Sequence, residues 1–375
     1  MHLPSVLDTS DRQTSYPVSQ SRHDRFLSNR HFGSLDGVRC FCIVAVLWHH
    51  SQPNNLPLLL TRGFLGVDMF FVLSGFLIVT LLLREKSKTQ TVALQKFYSR
   101  RFLRIFPAYY GLLLCLTILY STLRIGTESS LLFFGTLPWN LAFLSNCVLV
   151  QANGLGSMWS LAIEQQFYLI WPVFEKYLKP RLIYGILGVG VVINQVINMG
   201  VANGAFNKPH WFPDATFTPI CLGICLAHAF HHASSFNKLL PLMGWRHAPL
   251  MWLGLLLVTL YISPSDIFGW PRLSIQVLML LLLGSLVMRE DHCLKSLLSY
   301  PPVVRVGQIS YGIYLYHLWI FSIVGAIVQV AQSYMQITLP LPLFITGSLA
   351  SIAISELSYR FYEMPFLNLK KKFSW

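Results

Sequence analysis

Along the chain, apolar runs of about twenty residues alternate with short polar stretches, the spacing expected of helices that cross a hydrocarbon core of about 30 Å. Runs of near-spanning length fall at 35–51, 63–83, 100–121, 158–176, 181–200, 214–232, 247–263, 271–288, 307–331 and 339–362. The pattern predicts an all-α, polytopic membrane helix bundle of ten transmembrane helices, forming one integral domain over residues 35–375. The stretch "LLFFGTLPWNLAFLSNCVLV" is also apolar, but Gly135, Pro138, Trp139 and Asn140 interrupt it. It is therefore expected to be re-entrant or interfacial and not a span. Residues 1–34 are rich in Ser, Asp, Arg and Gln and lack the apolar core of a secretory signal, which predicts a polar, disordered cytoplasmic tail.

Composition agrees with a membrane setting. Of 375 residues, 54% are hydrophobic and 11% charged, with mean hydropathy +0.53, values a soluble domain would find hard to keep dispersed. The formal net charge of +13 does not point to nucleic acid, because Lys and Arg are scattered between apolar runs and not gathered on one face. It reads as topology. With the amino terminus inside, only Arg62, Arg124, Lys208 and Arg272 remain for the outside, an asymmetry that places both termini in the cytoplasm of a multi-pass cytoplasmic-membrane protein. Seven Cys, mostly within apolar runs, give no disulfide framework. Cys221 and Cys225, at i, i+4, read as packing residues, and no metal site is expected. No internal repeat of the kind many transporters carry is visible.

Against that background the ionisable residues inside the runs are costly and call for a reason. The first run reads "LDGVRCFCIVAVLWHH" from Leu35 to His50. At about 100° per residue, Arg39 and His50 lie within roughly 20° of one helix face, Asp36 within roughly 40° of it, and His49 roughly 80° away. The rise from Arg39 to His50 is about 16 Å, half the hydrocarbon core. Asp68, in "RGFLGVDMFFVLSGFLI", is expected at the depth of His50 across a short hairpin. There it could orient the imidazole as in acyl-transfer sites or simply tie the hairpin together. Arg100, Arg101 and Arg104 in "FYSRRFLRIFPAYY" suit the phosphates of a nucleotide-bearing donor, and positive-inside anchoring explains them about as well. Glu164, in "GSMWSLAIEQQFYLIWP", needs a polar cavity or a cationic partner. His317 in "ISYGIYLYHLWI" reads as a satisfied packing residue. Glu356 and Arg360 read as an i, i+4 salt bridge, with a helix stop expected at Glu363 before Pro365.

Taken in order, "LDGVRCFCIVAVLWHH", "GFLGVDMFFVLSGFLI", "FYSRRFLRIFPAYY", "MWSLAIEQQFYLIWP", "ISYGIYLYHLWI" and "YRFYEMPF" resemble acyltransferase family 3 over about residues 34–367. The resemblance implies an O-acyltransferase that moves an acyl group, usually acetyl from cytoplasmic acetyl-CoA, to a hydroxyl of an extracytoplasmic or lipid-linked glycan. It implies no permanently bound cofactor: acyl-CoA is the donor substrate, and membrane lipid surrounds the site. By the same resemblance Arg39 and His50 match the family's Arg and His pair, Arg100, Arg101 and Arg104 would hold CoA phosphates, and Glu164 matches the membrane Glu. His50 would then serve as general base or transient acyl carrier, tuned by Asp68 or Glu164. Two departures stand out: a second Glu common in the family is Gln165 here, and the Pro usual after the late His is missing from "HLW". The rival reading is a transporter of a lipid-linked or small anionic solute whose path these charges line.

Overall fold

The computed structural model describes residues 21–29, 31–51, 58–148, 150–152, 154–202, 217–264, 267, 269–335 and 343–370. Sixteen α-helices run along them, with no strand among the described residues. In chain order they are α1 Arg22–Ser28, α2 Gly33–Ser51, α3 Gly66–Thr89, α4 Leu94–Thr122, α5 Glu128–Leu141, α6 Met158–Tyr177, α7 Pro180–Ala202 and α8 Thr218–His231. There follow α9 Ala233–Met243, α10 Ala248–Ile262, α11 Trp270–Met288, α12 Lys295–Leu298, α13 Pro301–Gln308, α14 Ser310–Met335, α15 Leu343–Leu357 and α16 Met364–Leu369.

By length and apolarity, 5 helices among the described residues can cross a membrane, or up to 7 if two bent pairs each count as one span. The ten-span expectation is coarser in the structure because several runs are helical over only part of their length. Helices α8, α10 and α15 have 14, 15 and 15 residues, short of the roughly 20 that a perpendicular span needs. The apolar stretch at 131–150 becomes the 14-residue α5 and a 3₁₀ turn at Ser145–Cys147, also too short to span. Its amino end is fixed by Thr127, whose hydroxyl accepts from the Ser130 amide at 3.2 Å.

Helix α3 is the central element, with sixteen buried residues from Gly66 to Glu85. It lies against α8 at glycine contacts: a Cβ on Gly223 would stand 2.3 Å from the Val72 carbonyl oxygen, and one on Gly75 2.4 Å from that of Ile220. In a bilayer, where lipid competes for apolar contact, such close backbone approach supplies the packing attraction. Helix α2 is held the same way. A Cβ on Gly307 of α13 would lie 1.8 Å from the Asp36 carbonyl oxygen, and one on Gly37 2.2 Å from that of Leu298. These contacts pin the end of α2 that carries Asp36 and Arg39.

Part of the stretch expected to be a disordered tail is ordered. Residues 1–20 lie outside the described residues, but α1 is capped by Ser21, whose hydroxyl accepts from the Asp24 amide, and docks on the bundle. The Arg84 guanidinium donates to the carbonyls of Phe26 and Asn29 and lies over the rings of Phe26 and Phe32, at 4.9 and 5.4 Å. His23 Nε2 lies 3.1 Å from the Phe230 carbonyl oxygen. A sequence window sees few apolar residues there; the partners come from distant helices.

At the other end, Glu356 and Arg360 form the expected ion pair, and Arg305 of α13 adds two hydrogen bonds of 2.9 Å to the same carboxylate. The helix does not stop at Glu363: a π-helical turn over Ser358–Glu363 leads into α16, which accommodates Pro365 in its first turn.

Candidate active site

A cavity of about 250 Å³ opens among α2, α3, α4, α6 and α14. Its cationic side is built from Arg39 of α2 and from Arg101 and Arg104, an i, i+3 pair on α4. Arg39 Nη1 donates to Asp36 Oδ1 at 2.6 Å, so these two members of the stripe read from the helical period pair with each other. Arg101 stacks over the rings of Tyr168 and Phe97, at 5.2 and 5.7 Å. Among the described residues neither Arg101 nor Arg104 has a carboxylate within ion-pair distance. Arg100 is placed differently. It turns to Glu85, 3.7 Å away, and is not part of the cavity wall. Just past α16, the Lys370 ammonium is pushed down to about 8, first by burial and then by the fields of Arg104, Arg101 and Arg100.

Glu164 of α6 lines the same cavity. Its Oε1 accepts from the hydroxyls of Ser74 on α3 and Tyr168 one turn further along α6. The sequence expectation of a polar cavity around this carboxylate is met. Its nearest protein donors are hydroxyls, and the ring of one of them, Tyr168, also carries the Arg101 guanidinium. Deeper along α6, Ser160 Oγ lies 2.5 Å from the hydroxyl of Tyr314 on α14.

The histidines sit beyond Tyr314. His317, one turn further along α14, is fully buried, with its ring centroid 5.6 Å from that of Tyr314. Its Nδ1 lies 2.7 Å from the Tyr314 carbonyl oxygen and its Nε2 3.3 Å from His50 Nδ1. His50 is exposed at the end of α2, and its Nδ1 also lies 3.0 Å from the Val46 carbonyl oxygen. His49 faces elsewhere, with Nδ1 3.2 Å from the Thr61 carbonyl oxygen and its ring against Phe64.

Asp68 is not the partner of His50. Its carboxylate is 1% exposed and takes two hydrogen bonds from Arg272, at 3.0 and 2.9 Å, and one from Gln276 at 2.8 Å. A bidentate guanidinium on α11 satisfies the charge more completely than an imidazole could, and Arg272 is drawn inward from the surface role its position suggested. Asp68 therefore ties α3 to α11 and does not line the cavity.

A family model for an acyltransferase domain matches residues 32–360. The chain belongs to acyltransferase family 3. It is similar to the peptidoglycan O-acetyltransferase OatA of Listeria monocytogenes, 29% identical over 92% of this chain and 58% of the relative. It is also similar to a putative O-acetyltransferase of Staphylococcus aureus strain COL, 28% identical over 91% of this chain and 58% of the relative. The O-acetyltransferase OatA of S. aureus strain NCTC 8325 is 29% identical over 92% and 58%. The chain thus spans less than two thirds of the length of these relatives. No solved structure matches it.

Within this family 3 chain, residue-level reading missed Ser74, Ser160, Tyr168 and Tyr314 in the cavity wall and the His317 contact to His50. The signals were present at helical spacing: Tyr168 follows Glu164 by four residues and His317 follows Tyr314 by three. Tyrosines in apolar helices are common enough that spacing alone did not distinguish them from packing residues.

Proposed function

We propose that this chain is a membrane O-acyltransferase that transfers an acyl group, acetyl in the first instance, from cytoplasmic acyl-CoA to a glycan hydroxyl on the far side. The observation that carries the reading is one cavity joining Arg101 and Arg104, which have no carboxylate within ion-pair distance among the described residues, to Tyr314, the residue it shares with the histidine pair. A volume of about 250 Å³ is below the roughly 300–1,000 Å³ of sites that enclose drug-sized ligands. It suits the acyl-pantetheine arm and not a whole nucleotide. The phosphates then remain at the mouth, bound by Arg101, Arg104 and Lys370, with Arg39 and Arg100 as supporting charge. Glu164 keeps Oε2 for the amide N–H groups of the arm.

In the transfer step His50 Nε2 takes the proton of the acceptor hydroxyl as its oxygen attacks the thioester carbonyl. The C–S bond breaks, and the departing CoA thiolate recovers that proton. Alternatively His50 Nε2 is itself acylated first and the hydroxyl then cleaves the acyl-imidazole, with the same overall balance. The cytoplasmic orientation of both termini follows the distribution of Lys and Arg and sets the donor side. Peptidoglycan is the acceptor class named for one relative and the first to assay.

Reconstitution in liposomes tests the proposal. Acetyl-CoA supplied on one side should yield free CoA and an acetyl ester on glycan, with Arg101→Ala and Arg104→Ala each raising the donor KM about tenfold and leaving kcat within about threefold. Solute flux without CoA release would overturn it in favour of transport. Labelled donor without acceptor separates the two roles of His50: label retained on the protein and lost in His50→Ala supports the carrier route.

A further inference from the structure

The contacts around His50 form a directed chain. A backbone carbonyl oxygen can only accept a hydrogen bond, so two carbonyls, one at each end, fix where the protons lie. The Tyr314 carbonyl, 2.7 Å from His317 Nδ1, requires Nδ1–H on His317. In a neutral ring that leaves Nε2 with its lone pair. The Val46 carbonyl, 3.0 Å from His50 Nδ1, independently requires Nδ1–H on His50. The nitrogen that His317 presents as an acceptor therefore faces, at 3.3 Å, the nitrogen that His50 presents as a donor. The opposite assignment would set a lone pair of His50 against the Val46 carbonyl oxygen.

We propose that His317 is a positioning residue that holds His50 in the Nδ1–H tautomer, so that His50 Nε2 carries the lone pair at the exposed end of α2. The inference rests on the reading of His50 as the acyl-transfer residue and applies to either of its two routes, because base and acyl carrier alike need a free Nε2. In the general-base route the proton from the acceptor hydroxyl arrives at Nε2 and leaves from Nε2 to the thiolate, and in the carrier route Nε2 attacks the thioester carbonyl and the C–S bond breaks to release the thiolate. The Nδ1–H stays shared between Val46 and His317 throughout, which stabilises the imidazolium while it exists. His317 thus does the work that a carboxylate does in other acyl-transfer sites, and Asp68, engaged with Arg272, is not needed for it. Burial explains the choice. His317 is fully buried, and a neutral ring with both nitrogens satisfied is cheaper to keep there than an ionised carboxylate.

Three variants of the full chain in proteoliposomes test this with acetyl-CoA and a peptidoglycan fragment. In His317→Gln, the amide oxygen can occupy the Nε2 position and accept from His50. In His317→Phe the ring remains without an acceptor. The expected result is kcat within about fivefold of wild type for His317→Gln and a loss of roughly 100-fold for His317→Phe, with the donor KM unchanged in both because the donor binds in the cavity. Nitrogen-15 spectra of histidine-labelled wild type should show His50 protonated at Nδ1 and unprotonated at Nε2, and they do so whether or not a variant folds. A wild-type kcat in His317→Phe, equal losses in Gln and Phe, or an Nε2–H tautomer of His50 in wild type overturns the inference. His50→Ala is the control for the reading beneath it: if it keeps full CoA release, the role of His50 itself fails.

Discussion

Asp68 and Lys370 show opposite ways for an ionisable residue to be placed in this chain. Asp68 is matched by a bidentate guanidinium, and removing one member of a buried pair leaves the other charge uncompensated, at a cost of about 3–5 kcal/mol. Asp68→Ala should therefore lower the unfolding midpoint in detergent, and Asp68→Ala with Arg272→Met should recover most of the loss. A single variant as stable as wild type would contradict this placement. Lys370 is instead crowded by like charge, with its ammonium held down to about 8. The fold thus disfavours the charged form, and a bound anion restores it, so binding takes up a proton. Donor KM should be flat below pH 8 and rise above it, and Lys370→Arg should flatten the rise. A wild-type KM independent of pH from 7 to 9 would count against Lys370 facing the donor. The closeness of Asp36 and Arg39 on one face of α2 was legible because a helix fixes azimuth from sequence distance alone. The partner of Asp68 was not, because Arg272 lies 204 residues away and nothing local records it.

Helices were readable where periodicity and length agreed and were shortened where packing set the limit. The run at 63–83 became α3 within a few residues, whereas 214–232 gave only the 14 residues of α8. The α3–α8 contact depends on Gly75 and Gly223, whose significance lies in a neighbouring backbone that the sequence does not display. Gly223→Leu should force the helices apart, with a cost of about 1–3 kcal/mol for overpacking read as a lower thermal midpoint. Since Ser74 precedes Gly75 on the same helix and holds Glu164, activity should fall with the same substitution. An unchanged midpoint would show that the two helices are not in close contact. The ordering of α1 is a case of the same kind: Arg84 was legible as a topological charge, yet its carbonyl and aromatic partners make it a clasp.

For the molecule as a whole, charge asymmetry and six ordered motifs sufficed to indicate a membrane-bound family 3 chain, and the cavity assembles residues from five of its helices. Arg39, Arg101, Arg104 and Glu164 meet there, Arg100 leans on Glu85, and His50 stands outside with His317. Tyr314 belongs to both parts: it lines the cavity, lies 2.5 Å from the Ser160 hydroxyl and packs against the His317 ring. On the proposed transfer path the acyl group must pass this phenol ring to reach the histidines, with the donor on one side of the membrane and the acceptor on the other. Cells could not tolerate a wide hole at this point, since protons would run down their electrochemical gradient through it. Vesicles carrying Tyr314→Ala should dissipate an imposed pH difference several times faster than wild-type vesicles, as a fluorescent pH indicator inside them would record.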